Sequence, residues 1–187
     1  GEVKSTLSLS GGFLRASESS LWSGLWSQSS DASVEVAKDK TLYYGGGDLE
    51  LGVHALEITG SGSLELTTVD SSLVLGDPQS HLKLTGNGSV PQVVVNAAPV
   101  EDRGLSITGQ PSLSGLEFQV DSSLSATQQF SVDGGISVRG VKLTLNDSGT
   151  FANSLVLDGG TLEVTGQPTL SGVVSQLGAS KITISAD

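Results

Sequence analysis

Side chains able to do chemistry are few and scattered along this 187-residue chain. Between the two histidines, His54 and His81, lies close to one winding of a repeating fold, a separation that invites an acid–base couple or a pair of metal ligands. His54, however, stands six residues before Gly60, the glycine of a Thr-Gly pair, and His81 stands five before the equivalent Gly86. In an extended chain an offset of one residue sends side chains to opposite faces, so both read as surface or corner histidines. Glu101-Asp102-Arg103 with Asp121 is the nearest approach to the paired carboxylates of glycoside-cleaving enzymes. Adjacent residues cannot both line one strand face, and the preferred reading is solvated loop charge.

Three further patterns have simpler accounts beside the functional ones. Gly45-Gly46-Gly47-Asp48 approximates the Gly-rich, Asp-containing calcium repeats of some solenoids but occurs once, as a turn would. Thr59, Thr85, Thr108 and Thr165 form a recurring series, yet the residues two positions earlier are Glu57, Lys83, Ser106 and Glu163, so the second threonine rank of an ice-binding lattice is missing. Trp22, Trp26, Tyr43 and Tyr44 fall close together in the chain and are the candidate binding patch, for sugar stacking or a protein partner. The competing role for these four is to cap or pack one end of the fold. Asn87-Gly88-Ser89 and Asn146-Asp147-Ser148 match the glycosylation acceptor pattern, which chance supplies in a serine-rich chain.

Composition narrows the remaining choices. The chain has no cysteine, which excludes disulfides and sulfur-based zinc sites, and its net charge of −11 opposes binding to nucleic acid or anionic lipid. No apolar run approaches the ~20 residues of a spanning helix, so direct membrane insertion is not expected. Neither metal nor organic cofactor is implied. Gly1 and the lack of methionine read as an excised segment.

The elements that must position these residues are short strands. An apolar–polar–apolar triplet recurs, as in Val34/Val36, Leu42/Tyr44, Leu49/Leu51, Leu56/Ile58, Leu64/Leu66, Leu73/Leu75 and Leu82/Leu84, and continues to Ile182/Ile184. From Leu42 to Leu82 the triplets follow so closely that each leaves room for roughly three to five residues of strand and a tight corner, with Gly, Asp, Ser and Asn in the intervals. An antiparallel meander closed at Asn87-Gly88 and the Asp-Gly pairs is the structural rival.

A longer repeat favours coiling. LSITGQPSLSG, Leu105 to Gly115, returns as LEVTGQPTLSG, Leu162 to Gly172, with looser copies starting at Leu56 and Leu82. The Thr-Gly pairs begin at Thr59, Thr85, Thr108 and Thr165; the first two intervals are nearly equal, and the third is more than twice as long, covering two or more windings. A period of about 20–26 residues carrying three short strands predicts an all-β parallel solenoid of roughly seven coils, on the order of 30–35 Å long, over residues 32–187. Residues 1–31 are expected to form an N-terminal cap or irregular segment, with 17–30 as a short amphipathic helix or a folded-over loop.

The stretches SLWSGLWSQ (Ser20 to Gln28), ASVEVAKDKTLYYGGGDLEL (Ala32 to Leu51) and NSLVLDGGTLEVTG (Asn153 to Gly166) resemble the passenger repeats of bacterial autotransporter-type adhesins. That resemblance implies a right-handed parallel β-helix, export across a Gram-negative envelope, and display at the outer surface. It also implies a non-enzymatic role in adhesion or self-association, with a host surface protein or glycan, or another copy, as partner. The alternatives are a β-helical polysaccharide lyase or hydrolase, and a structural spacer for a separate functional domain.

Overall fold

The computed structural model describes residues 2–4, 6–68, 71–100, 103–126, 129–145, 150–151, 153–165, 167 and 169–185. It is a parallel β-solenoid whose described residues contain no helix. Each turn contributes strands to three faces. The first turn shows the order: Glu2–Val3 on the first face, Leu7–Leu9 on the second and Phe13–Ala16 on the third. The third face is a continuous nine-stranded sheet from Phe13–Ala16 to Lys181–Ile184. Every pairing between these strands is parallel, which excludes the hairpin meander.

The nine levels of the third face span about eight windings, one more than the roughly seven coils expected over residues 32–187. The difference lies at the N-terminal end, where the strands up to Trp26–Gln28 pair in parallel with neighbouring turns, as in Leu7↔Trp26, and Phe13 pairs with Ser33. Strands Ser20–Trp22 and Trp26–Gln28 occupy the segment expected as a short helix or loop. The Trp spacing fits a helix face equally well, but the ladder to neighbouring turns supplies backbone partners that an isolated helical turn lacks.

Period-two alternation places one rank of each strand inside, and parallel register stacks like on like. On the third face Leu14, Val34, Ile58, Leu84 and Ile107 stand directly above one another. On the second face Leu49, Leu73, Val93, Leu116, Ile136, Leu155 and Val174 form a continuous ladder. Leu56, Leu82 and Ile107 are completely buried, and each such side chain contributes about 1.5–3 kcal/mol on leaving water. In the last described turn the inward residues Leu170, Val174, Ile182 and Ile184 are partly or largely exposed, since burial of an inward residue requires a turn on both sides.

The Thr-Gly repeats mark a corner where successive turns nearly touch. A methyl group added at Gly86 would run into the backbone of Thr59 and Gly60, and one at Gly109 into that of Thr85 and Gly86. Only a residue without Cβ permits this approach. The repeat does not map onto the ladder residue for residue, however. Ser106↔Ser125 and Leu143↔Leu162 advance by the same interval, but Leu124↔Leu145 advances by two positions more. This shift of two keeps inward residues inward and brings Ser122 opposite Leu143, where it is buried and its hydroxyl donates to Val120 O at 3.0 Å. The two copies of the longer repeat are therefore three turns apart.

Gly86→Ala is expected to cost about 1–3 kcal/mol through backbone overlap, whereas Gly12→Ala, with nothing within 4 Å of the new methyl, stays within ~0.5 kcal/mol of the parent. Chemical denaturation of the two variants checks the pair.

Candidate functional site

The residues singled out from sequence do not converge on one centre. Trp22, Tyr44 and Leu66 form one inward rank of the first face, and Tyr44 is buried. Leu21, Tyr43 and Glu65 form the outward rank beside it. Trp26 lies around the corner on the second face, paired with Leu7 and packed on the core, and its buried Nε1 has no hydrogen-bond partner. The four aromatic residues thus divide: Trp22, Trp26 and Tyr44 pack toward the core, and Tyr43 faces outward.

His81 pairs with Ala55, so His54 is one residue out of register with it, as the spacing predicts. His54 Nδ1 lies 4.0 Å from the Asp31 carboxylate. Of the carboxylate constellation, Glu101 and Asp102 lie outside the described residues, as do Gly166 and the acceptor sequence at 146–148. Asn87 of the other acceptor sequence receives the Gln110 N–H at 3.0 Å through its Oδ1.

Several acids serve the winding instead. Asp31 accepts the Ala55 N–H at 2.8 Å, Asp48 accepts the Ser72 N–H at 2.8 Å, and Asp121 accepts the Lys142 N–H at 2.7 Å. Each carboxylate joins a corner to the next turn, a charge-assisted bond worth more than a neutral one. Asp48 and Asp121 are therefore engaged in contacts between turns, and the Gly45–Asp48 segment works as a corner. Among the described residues no group of three or more His, Asp or Glu is placed to hold a metal ion.

A wide concavity lies elsewhere, at the corner between the first and second faces. On the first face the strands Thr41–Tyr44 and Ser63–Leu66 have four residues, but the following Ser89–Val90, Ser112–Leu113 and Ser131–Val132 have two. The sheet also breaks between Ser63–Leu66 and Ser89–Val90. Pro91 directly follows the first short strand and Pro111 directly precedes the second, and proline has no N–H to extend a ladder. The narrowing leaves a step, and the step is an open groove of about 600 Å³. Leu64, Leu66, Val90 and Pro91 supply its apolar part, while Thr67, Thr68, Ser71, Gln92, Ser112 and Ser114 supply hydroxyl and amide groups. Glu65 and Asp133 bring charge to its wall. A smaller hollow of about 250 Å³, lined by Pro111, Gln129, Phe130 and Asn153 among others, flanks the other edge of the narrow strands. Beneath it Phe130 and Phe151 meet edge to face at 5.7 Å, and Asn153 ties the turns together by accepting the Val132 N–H and donating to Phe130 O.

The groove escapes a reading of the sequence that seeks residue types able to do chemistry. Its available signal is the shortening of the alternation beside Pro91 and Pro111.

The outer surface of the third face is laid out in polar ranks. Ser33, Glu57, Lys83 and Ser106 stand in one column, and Ser123, Thr144, Glu163 and Thr183 in another. Glu163 receives a hydrogen bond from Lys142 Nζ at 3.1 Å and one from Thr144 Oγ1 at 3.3 Å. The lysine's hydrogen bond and charge hold the Glu163 carboxyl below its ordinary value.

These features define the class as a parallel β-solenoid with polar outer ranks and one stepped flank. No protein-family model, curated protein or solved structure matches the chain.

Two outcomes are expected here. Asp48→Ala, which strands the Ser72 N–H, should cost about 1–3 kcal/mol in denaturant unfolding, and Asp48→Asn, which keeps an acceptor, much less. In a carbon-detected NMR titration Glu163 should titrate below 4.5, and Lys142→Ala should raise it. Because the folded-state pKa is the depressed one, the pair's contribution to stability is present above about pH 4.5 and is lost as pH falls through the lowered value.

Proposed function

We propose that this chain is a segment of a bacterial surface adhesin of the autotransporter-passenger type, displayed outside the cell and acting without catalysis. The observation that carries this reading is the third face, where nine strands in one continuous sheet present Ser, Thr, Glu and Lys in columns along the solenoid. A host surface molecule, or another copy, would meet similar polar chemistry at every turn. Weak contacts repeated about 4.8 Å apart on a rigid body accumulate affinity through effective concentration rather than through a single deep pocket. The engagement of Asp121 with the Lys142 N–H supports a binding role over a glycan-cleaving one, since that carboxylate is spent on joining two turns.

The test coats beads with the 187-residue chain and measures their retention on host epithelial cells and on each other, alongside reducing-end release from neutral and acidic polysaccharides. Retention that saturates, without sugar release, is the expected result. Release of sugar would replace the reading with a lyase or hydrolase, and absence of retention in both formats would favour a spacer.

A further inference from the structure

We propose that the stepped groove between the first and second faces is a binding site for a neutral linear oligosaccharide. This goes beyond the polar-rank reading, because it assigns a discrete site on a different flank. The groove runs along the solenoid axis, with walls drawn from successive turns: Leu64–Thr68 with Ser71, then Ser89–Gln92, then Ser112 and Ser114, then Asp133. Three intervals of ~4.8 Å make it about 14 Å long, and its volume of about 600 Å³ falls within the usual range for ligand sites. It is open along its length, so a polymer can lie in it without threading.

The chemistry of the walls selects the ligand. Thr67 Oγ1 donates to Tyr44 O at 3.4 Å, Thr68 Oγ1 to Gly45 O at 3.3 Å, and Ser114 Oγ to Val90 O at 3.5 Å. Contacts of this length leave the three hydroxyls able to turn toward a ligand as donors or acceptors. The Glu65 and Asp133 carboxylates accept as well, and the Gln92 amide adds both donor and acceptor. Such a surface suits a ligand rich in hydroxyl donors. Leu66 is the partly exposed apolar side chain of the groove, with the buried Val90 and Pro91 beneath it, and offers a small apolar surface to the C–H groups that a sugar ring carries beside its hydroxyls. Leu66 remains half-buried because the shortened strand of the next turn does not cover it fully.

Charge decides among the polymers. Among the described residues the lining contains two carboxylates and no lysine or arginine, within a chain of net charge −11. Phosphorylated, sulfated or uronate-containing chains are repelled.

The test is two-dimensional NMR on the 187-residue chain, titrated with uncharged hexasaccharides: a β-1,4-glucan, an α-1,4-glucan and a β-1,4-mannan. Hexagalacturonate and hexalysine serve as comparators. The expected result is millimolar or tighter binding of at least one neutral probe, with amide shifts at Thr67, Thr68, Ser71, Gln92 and Ser114. Gln92→Ala and Asp133→Ala should each weaken that binding about fivefold, the scale of one lost hydrogen bond, and Lys38→Ala, exposed and outside the groove lining, should leave it unchanged. The spectra themselves report whether each variant is folded. Tighter binding of either comparator, shifts confined to another face, or no shift with any neutral probe would overturn the groove assignment. Bead retention on cells in those same cases would leave the adhesin reading intact, so the two proposals fail separately.

Discussion

No turn of this protein can bury its own apolar face; burial is conferred by the turn above and the turn below. That dependence explains why the structure insists on register. Once Leu84 is set over Ile58 and under Ile107, both neighbouring ladders and the outward ranks are fixed with it, because side chains in a strand alternate with period two. It also explains the exposure of Ile182 and Ile184 in the last described turn, whose pattern is that of interior positions.

Corners are where this arrangement is most crowded, and they are handled by residues with little or no side chain, or with one that acts as backbone. Gly60, Gly86 and Gly109 allow carbonyl groups of successive turns to approach too closely for any Cβ. Asp31, Asp48, Asp121, Asn87 and Asn153 accept N–H groups from neighbouring turns and so replace ladder bonds where strands end. Ser80, almost completely buried, does the converse by donating its hydroxyl to Leu51 O at 2.6 Å. Much of the polar composition that first suggests catalytic or ligating groups is thereby assigned to the corners. The recognition proposed above rests on the ranks of the third face and on the flank where the first face narrows.

The legibility of each part follows from the distance over which its cause acts. Alternation such as Leu49/Leu51 or Leu155/Leu157 is local, so strands and their inward residues can be read directly. The recurrence of Thr-Gly at 59, 85 and 108 reports the contact between turns, because the glycine is demanded by the neighbouring coil. Residues 17–30 are ambiguous since Leu21, Trp22, Leu25 and Trp26 satisfy a helical face as well as two strands, and only pairing with Glu2–Val3, Leu7–Leu9 and Thr41–Tyr44 separates these. The aromatic cluster, compact in sequence, is split by the corner between Trp22 and Trp26.

From sequence alone came the solenoid class, the three-strand turn, the aliphatic interior and the one-residue offset of the histidines, all consequences of periodicity. Tertiary structure decided the number of turns, the shift of two between Leu124 and Leu145, the work assigned to each corner carboxylate, and the groove. These depend on which residue of one turn lies over which residue of the next. That alignment is set by packing and backbone bonding summed across many turns, and no single repeat carries it.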